Sequence, residues 1–434
     1  MAIQKKPVAR APLPPRQGKS QTYVSSKEAA EALGIKLASL YAYVSRGIVR
    51  SIVLPGQRKR LYYREDIERA GKRMGGRAGI PPTVEAALSW GQPLFQTALT
   101  ELTEEGVSYR GRPVIELANS GRSFESVAEL LWGGMDLPQL AFWNDLAVPP
   151  GFGRRLAQAV HPQLEGPFLR SMALATSLVA VQSREGPDFE RGSTVSDARQ
   201  LIALYAGSAG FLGPASRFVA VRKQESVAEI LLRALKGRAT PEAVRAINFA
   251  LILCADHEMS PATVSARIAA SCAAELRACL LAAIGAHSGT LLAGGCDRAE
   301  SVLRSARDAD SMHALMVAVG RSGARIHGYN IKAYPQGDPR ARALLDISRD
   351  MGAHARRIHN LVSGVEAKFD LRPSLEVGLI ALCVGLDLPV GSASAVWSLG
   401  RVAGWVAHVI EQRQAGFMVR PRARYMGQQR APAG

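Results

Sequence analysis

Cysteine is scarce in this chain and shows no pairing pattern. There are five, Cys254, Cys272, Cys279, Cys296 and Cys383, an odd number with no CxxC spacing. That excludes a disulfide framework and a structural zinc site, so a cytoplasmic protein with no metal and no permanently bound cofactor is expected. Long apolar runs are missing too. The nearest approach, residues 377–386, is far too short to span a bilayer, so no membrane partner is expected. Aromatic residues are only 6% of the chain. Acidic residues are absent from the first 27 positions, and Glu28 is the first. Residues 1–19 form a basic, proline-rich tail expected to be disordered. It lacks the apolar core of a secretory signal, and its prolines spoil the amphipathic helix of a transit peptide.

What is present is a 434-residue chain that is 47% hydrophobic and rich in Ala, Leu, Val and Gly. This is enough for a large core and about three domains at roughly 150 residues each, and it leans towards helices. Charge is uneven. Residues 1–80 hold 17 Lys and Arg against 5 Asp and Glu, a net of +12 out of +17 for the whole chain. A small basic module therefore precedes a large, nearly neutral one, and concentrated positive charge suits a polyanion, most often nucleic acid.

Pattern sharpens the reading of the basic module. Ser25 and Glu28 have capping-box spacing at the start of a short helix. Leu37, Leu40, Tyr41 and Val44 follow at i, i+3, i+4 and i+7, predicting one apolar face of a second helix. Its other face carries Lys36, Ser39, Tyr43 and Arg46, donors suited to phosphates and base edges. Two extended runs, 49–54 and 58–63, flank a Pro55-Gly56-Gln57 turn with Arg58, Lys59 and Arg60 at the tip, and 64–73 reads as a closing helix. Helix, turn, helix, basic wing and helix make a DNA-reading layout. Over about residues 20–75 it resembles the winged helix-turn-helix modules of excisionases and MerR-type regulators, which implies DNA as a partner.

From about residue 80 the patterning is mainly α. Leu and Ala recur at helical spacing through 154–184, 196–209, 226–236, 241–254 and 262–286, with sparse strand signals. The local strings say more: Tyr109-Arg110-Gly111-Arg112-Pro113, Ala255-Asp256-His257-Glu258, Gly337-Asp338-Pro339-Arg340-Ala341, Gly400-Arg401-Val402-Ala403-Gly404-Trp405 and Arg420-Pro421-Arg422. In this order they resemble the citrate synthase family across nearly all of 81–434. The resemblance implies a large helical domain over 81–303 that resumes at 396–434 as a C-terminal arm, and a small domain over about 304–395. It also implies a dimer, with itself or with a paralogue, and a condensation. An acyl-CoA (acetyl-CoA or another) loses an α-proton, and the enol attacks the ketone of oxaloacetate.

That chemistry dictates side chains. A carboxylate must take a weakly acidic C–H proton. Two donors must stabilise the enolate and the alkoxide. Arginines must clamp the dicarboxylate. By the resemblance, His257, Arg340 and Arg401 match the oxaloacetate ligands, and Arg420 matches the arginine that reaches the partner's site. The catalytic set departs from the family. Leu292, in Gly289-Thr290-Leu291-Leu292-Ala293-Gly294-Gly295, stands where one catalytic histidine belongs. Ile331, in Gly328-Tyr329-Asn330-Ile331-Lys332-Ala333-Tyr334, stands where the second belongs. Glu376 stands where the family has its aspartate base. An alkyl group donates no hydrogen bond, and losing one such donor costs about 2.7–4 kcal/mol, or about 10²–10³ in rate. His287 and His327 lie five and four residues upstream of these positions as potential replacements. Two readings follow: a synthase-type acyltransferase of weak or altered activity, or a catalytically degenerate regulator that senses a dicarboxylate or acyl-CoA and binds DNA.

Overall fold

The structure, a computed structural model, describes residues 23–33, 35, 37, 40, 41, 44, 49, 51–53, 60–64, 66, 67, 95–144, 146–160, 167–183, 185–321 and 327–421. It divides into two units, residues 1–96 and 97–434.

In the first unit, β1 (Tyr23–Ser25), β2 (Ser51–Val53) and β3 (Arg60–Tyr63) form an antiparallel sheet of order β1-β3-β2, and α1 (Ser26–Leu33) follows β1. The capping box forms: the Ser25 N–H donates to Glu28 Oε2 at 2.8 Å, and the Glu28 N–H donates to Ser25 Oγ at 3.3 Å. Ala29, Ala30 and Leu33 of α1 pack with Val24, Leu40, Val49, Tyr62 and Ile67 into a small core. The predicted apolar face over 37–44 is only half used. Leu40 is buried and Val44 packs beside it, while Leu37 and Tyr41 are 47% and 52% exposed. A core this small takes one ridge of the helix, not the full stripe. Six of the candidate DNA contacts, Lys36, Ser39, Tyr43, Arg46, Arg58 and Lys59, lie outside the described residues; Arg60 is exposed at the start of β3.

The second unit opens with strands that the sparse strand signals did not locate. β4 (Thr100–Thr103), β5 (Gly106–Tyr109) and β6 (Arg112–Pro113) form an antiparallel meander. Helices follow: α2 (Val114–Asn119), α3 (Phe124–Gly133), α4 (Phe152–Ala159), α5 (Pro167–Gln182), α6 (Asp188–Arg191), α7 (Thr194–Ser208), α8 (Val227–Lys236), α9 (Pro241–Cys254), α10 (Pro261–Ser271) and α11 (Leu276–His287). The chain continues through α12 (Ala293–Ser305), α13 (Ala309–Arg321), α14 (Pro339–Ser348), α15 (Ala353–Phe369), α16 (Leu375–Gly385) and α17 (Ser392–Ala415). Two of the runs at helical spacing each hold two helices. The 154–184 run is α4 and α5. The 262–286 run breaks at Cys272–Glu275, where Ala273 takes a left-handed φ of 56°. Neither Gly nor Pro marks that turn, so an Ala-rich pattern ran through it unseen.

α17 is the central helix, buried along most of its 24 residues and packed by α3, α9, α10, α11, α12 and α16. Its small residues let neighbours come close. A Cβ on Gly400 would overlap Cys254, and one on Gly404 would overlap Asp256 and the Ala255 carbonyl. The last turn of α9 is thereby seated against the middle of α17, where the candidate site lies.

Candidate functional site

The site begins where α9 ends. The chain leaves the helix at Cys254 and makes a tight turn through Asp256, His257 and Glu258, with Glu258 at a left-handed φ of 53°. Asp256 anchors the turn. Its Oδ2 accepts from Thr100 Oγ1 at 2.6 Å, from the Glu258 N–H at 3.1 Å and from His408 Nε2 at 3.2 Å. Arg267 Nη1 donates to His408 Nδ1 at 2.9 Å. A guanidinium only donates, so Nδ1 accepts and the imidazole proton sits on Nε2, aimed at Asp256. Burial works against the ionised Asp256 carboxyl, but His408, Arg401 and the Thr100 hydroxyl outweigh it and hold its pKa below the usual range. The buried Tyr109 hydroxyl of β5 closes the other side. It accepts from the Asp256 N–H at 2.9 Å and lies 3.1 Å from the Ile252 and Asp256 carbonyls. The unforeseen strands therefore position the site.

His257, held by this turn, is half-buried, and its Nε2 lies 3.1 Å from the Tyr334 hydroxyl. Burial, then the charges of Arg340 and Arg401, keeps its pKa well below the ordinary histidine value, so the imidazole is neutral. Arg340 is the second residue of α14. The N-cap carboxylate of Asp338 accepts from its N–H and Nε, both at 3.0 Å, and from Nη2 at 2.7 Å. Both side chains are almost fully buried, and Arg340 Nη1 has no partner among the described residues. Arg401 is also buried. Its Nε donates to the Cys254 carbonyl at 2.9 Å, and its terminal nitrogens have no hydrogen-bond partner among the described residues.

Electrostatics shows the convergence. The Cys254 thiol, pushed up to about 12 by burial, feels Arg401, Arg340, Asp338 and Glu376 together. Glu376 is half-buried in the first turn of α16, and its Oε2 accepts from Ser374 Oγ at 2.6 Å. Its segment is stitched to the one bearing Tyr334 and Arg340. Ser374 N–H donates to the Gly328 carbonyl at 2.8 Å, Asn330 N–H to that of Arg372 at 2.9 Å, and Asp338 N–H to that of Pro373 at 3.2 Å. His257, Arg340, Arg401 and Glu376 thus meet around the end of α9.

Leu292, at the start of α12, and Ile331, whose carbonyl accepts from the Tyr334 N–H at 3.1 Å, are both half-buried against the core. The two upstream histidines have packing partners of their own. His287 is buried edge-on between Trp397 and Trp405, with ring centroids 5.0 and 5.2 Å away. The His327 ring lies where a Cβ on Gly295 would stand. Arg420 is exposed beyond α17, one residue after Val419, whose N–H donates to Ser271 Oγ at 3.0 Å. The motif strings already contained Asp256, Tyr334, Asp338 and Tyr109; His408 and Arg267 were missed because buried polar partners 141 residues apart leave no local signal.

A separate cavity of about 920 Å³ is lined by Trp143, Gln182, Asp197, Arg199, Gln200 and Arg277 among others, and its charged groups are ion-paired within the protein. Among the described residues, no three His, Cys, Asp or Glu side chains group as metal ligands, and no helix is long and apolar enough to cross a membrane.

Comparison with known proteins agrees with this architecture. The model of the citrate synthase C-terminal domain matches residues 88–422. Citrate synthase 2 of Bacillus subtilis is 26% identical over 361 residues, covering 76% of this chain and 93% of its own. The 2-methylcitrate synthase of Shewanella oneidensis is 27% identical over 357 residues, covering 78% and 93%. Among solved structures, the Thermoplasma acidophilum citrate synthase in ternary complex with carboxymethyl coenzyme A and oxaloacetate superimposes with a TM-score of 0.66 at 20% identity, over 79% of this chain and 96% of its own. With the family model spanning most of the chain and the mainly α fold shared, the chain belongs to the citrate synthase family.

Proposed function

We propose that the body binds a dicarboxylate of the oxaloacetate class and retains at most weak condensation of it with an acyl-CoA. The observation that carries this reading is Arg340 Nη1, a buried cationic donor with no hydrogen-bond partner among the described residues, within electrostatic reach of Arg401, whose terminal nitrogens make no hydrogen bond to those residues either. Arginine forks left open in a buried site suit carboxylates, and neutral His257 adds a donor. Glu376 is the base candidate. Leu292 and Ile331 are alkyl, His287 is seated between Trp397 and Trp405, and His327 lies against Gly295, so on this reading neither histidine takes the place of the missing donors and the enolate and alkoxide lack theirs. Two such losses, if additive, leave roughly 10⁴–10⁶ less rate. The ligand pair seen with the Thermoplasma enzyme, oxaloacetate and a coenzyme A thioether, supports the same ligand classes here.

Dimerisation belongs to this reading. On α5, Ala173, Leu174, Ser177 and Leu178 are half-buried and Val181 is 79% exposed; Gly285 is exposed on α11, which packs on α5, and Ile268 is exposed on α10, which packs on α11. A second copy, or a paralogue, would cover these small and apolar faces, and Arg420 would reach the partner's site. The large and small domains are taken as 81–303 with 396–434, and about 304–395.

The test is a thermal-shift titration with oxaloacetate. Wild type should rise in Tm and Arg340→Ala should not, because only a ligand bound to the folded state stabilises it. Equal behaviour of the two proteins contradicts the reading. A second function, DNA binding by residues 20–75, is favoured by the net +12 of residues 1–80 and the formed capping box. It would make the body a ligand sensor for a DNA-bound regulator.

A further inference from the structure

Trp397, Arg401 and Trp405 recur every four residues on α17, so they share one face. His287, the last residue of α11, sets its imidazole edge-to-face against both indoles, at interplanar angles of 80° and 77°. All four side chains are more than nine-tenths buried. Yet His287 Nε2, Trp397 Nε1 and Trp405 Nε1 have no hydrogen-bond partner among the described residues. The other two described tryptophans are satisfied: Trp132 donates to the Ala403 carbonyl at 2.9 Å, and Trp143 to Glu129 Oε1 at 3.0 Å. Three nitrogens without a hydrogen-bond partner among the described residues thus gather around one imidazole that also feels the Arg401 charge. Buried donors left unmet destabilise a fold, and Leu and Phe would fill the same space without that penalty.

We propose that His287, Trp397 and Trp405 line an anion subsite continuous with Arg401, in which one carboxylate of the bound dicarboxylate accepts from the His287 Nε2–H and the neighbouring indole N–H groups. This rests on the dicarboxylate reading above and adds to it a specificity-determining residue, His287. The chemistry selects a carboxylate. Everything offered is a donor, Arg401 supplies fixed positive charge, and a neutral imidazole with its proton on Nε2 donates without needing to be ionised. A cation finds no acceptor in this set apart from the imidazole nitrogen itself, and an apolar group leaves all three nitrogens unmet.

The experiment is calorimetric titration of the full-length protein with oxaloacetate, paired with Tm measurements without ligand. His287→Leu should weaken binding about tenfold or more, in line with a lost hydrogen bond to a charged group, while the ligand-free Tm holds or rises. Trp397→Phe, which keeps the ring and deletes one N–H, should weaken binding by a smaller factor. It serves as the second variant if His287→Leu does not fold. Unchanged affinity in both variants overturns the subsite and leaves the dicarboxylate reading standing. A fall in ligand-free Tm with unchanged affinity means that the cluster is only packing, and also overturns it. Absence of binding by wild type at millimolar oxaloacetate overturns both.

Discussion

His257 and Tyr334, 77 residues apart, meet at 3.1 Å and join the turn after α9 to the segment that carries Arg340. The tyrosine ring also lies 5.7 Å from the Arg340 guanidinium, so one side chain orients two candidate ligand contacts. Tyr334→Phe should leave the fold intact, lower stability by about 0.5–1.5 kcal/mol for the lost hydrogen bond, and reduce the oxaloacetate-induced Tm rise. An unchanged rise, measured by the same titration, would show that His257 needs no such partner.

Gly404 seats α17 against the turn that follows α9. A Cβ there overlaps Asp256, which Tyr109 and His408 hold from behind, and the Ala255 carbonyl, which accepts from the Gly404 N–H at 2.8 Å. Gly404→Ala should cost about 1–3 kcal/mol by overpacking and displace His257, so chemical denaturation and ligand binding should fail together.

How much of this was legible in the sequence depends on range. The Ser25–Glu28 cap and the helix over 241–254 are local patterns and were read correctly. The resemblance to the citrate synthase family, carried by short ordered phrases, implies a shared site for His257, Arg340, Arg401 and Glu376. The break at Ala273 carries no turn residue. The strands over 100–113 are too short to show a period, and Leu37 and Tyr41 look like core until the small size of that core is known. The Arg267–His408–Asp256 chain depends wholly on tertiary packing.

Glu125 gives a pH prediction. It is buried, its Oε1 accepts from the Val227 N–H at the start of α8 at 2.7 Å, and its Oε2 has no partner among the described residues. Burial, opposed by that N–H, pushes its pKa to about 7. A carboxyl raised in the folded state holds its proton there while the unfolded chain has released it. Its stabilising contribution is therefore complete below the ordinary carboxyl pKa and is lost as pH rises to about 7. Glu125→Gln, whose carbonyl can still accept from Val227, should flatten this loss and gain about 1–3 kcal/mol over wild type at pH 8. Parallel Tm–pH curves for the two proteins would contradict it.

The basic module is tested by mobility shift of the full-length protein on random duplex DNA at low and moderate salt. Replacing Arg58, Lys59 and Arg60 with Ala should weaken binding to every sequence and reduce the salt slope by roughly one per lost phosphate contact. Changing Tyr43 and Arg46, on the predicted exposed face with Lys36 and Ser39, should alter sequence preference more than affinity. No shift at low salt would remove DNA from the account.

The central claim is a dicarboxylate site kept while the condensation donors are gone, and the most direct measurement is thiol release from acetyl-CoA and propionyl-CoA with oxaloacetate. Wild type should turn over roughly 10⁴–10⁶ more slowly than a synthase with both donors, and Leu292→His with Ile331→His should raise the rate. Rapid thiol release by the wild-type protein would contradict the account.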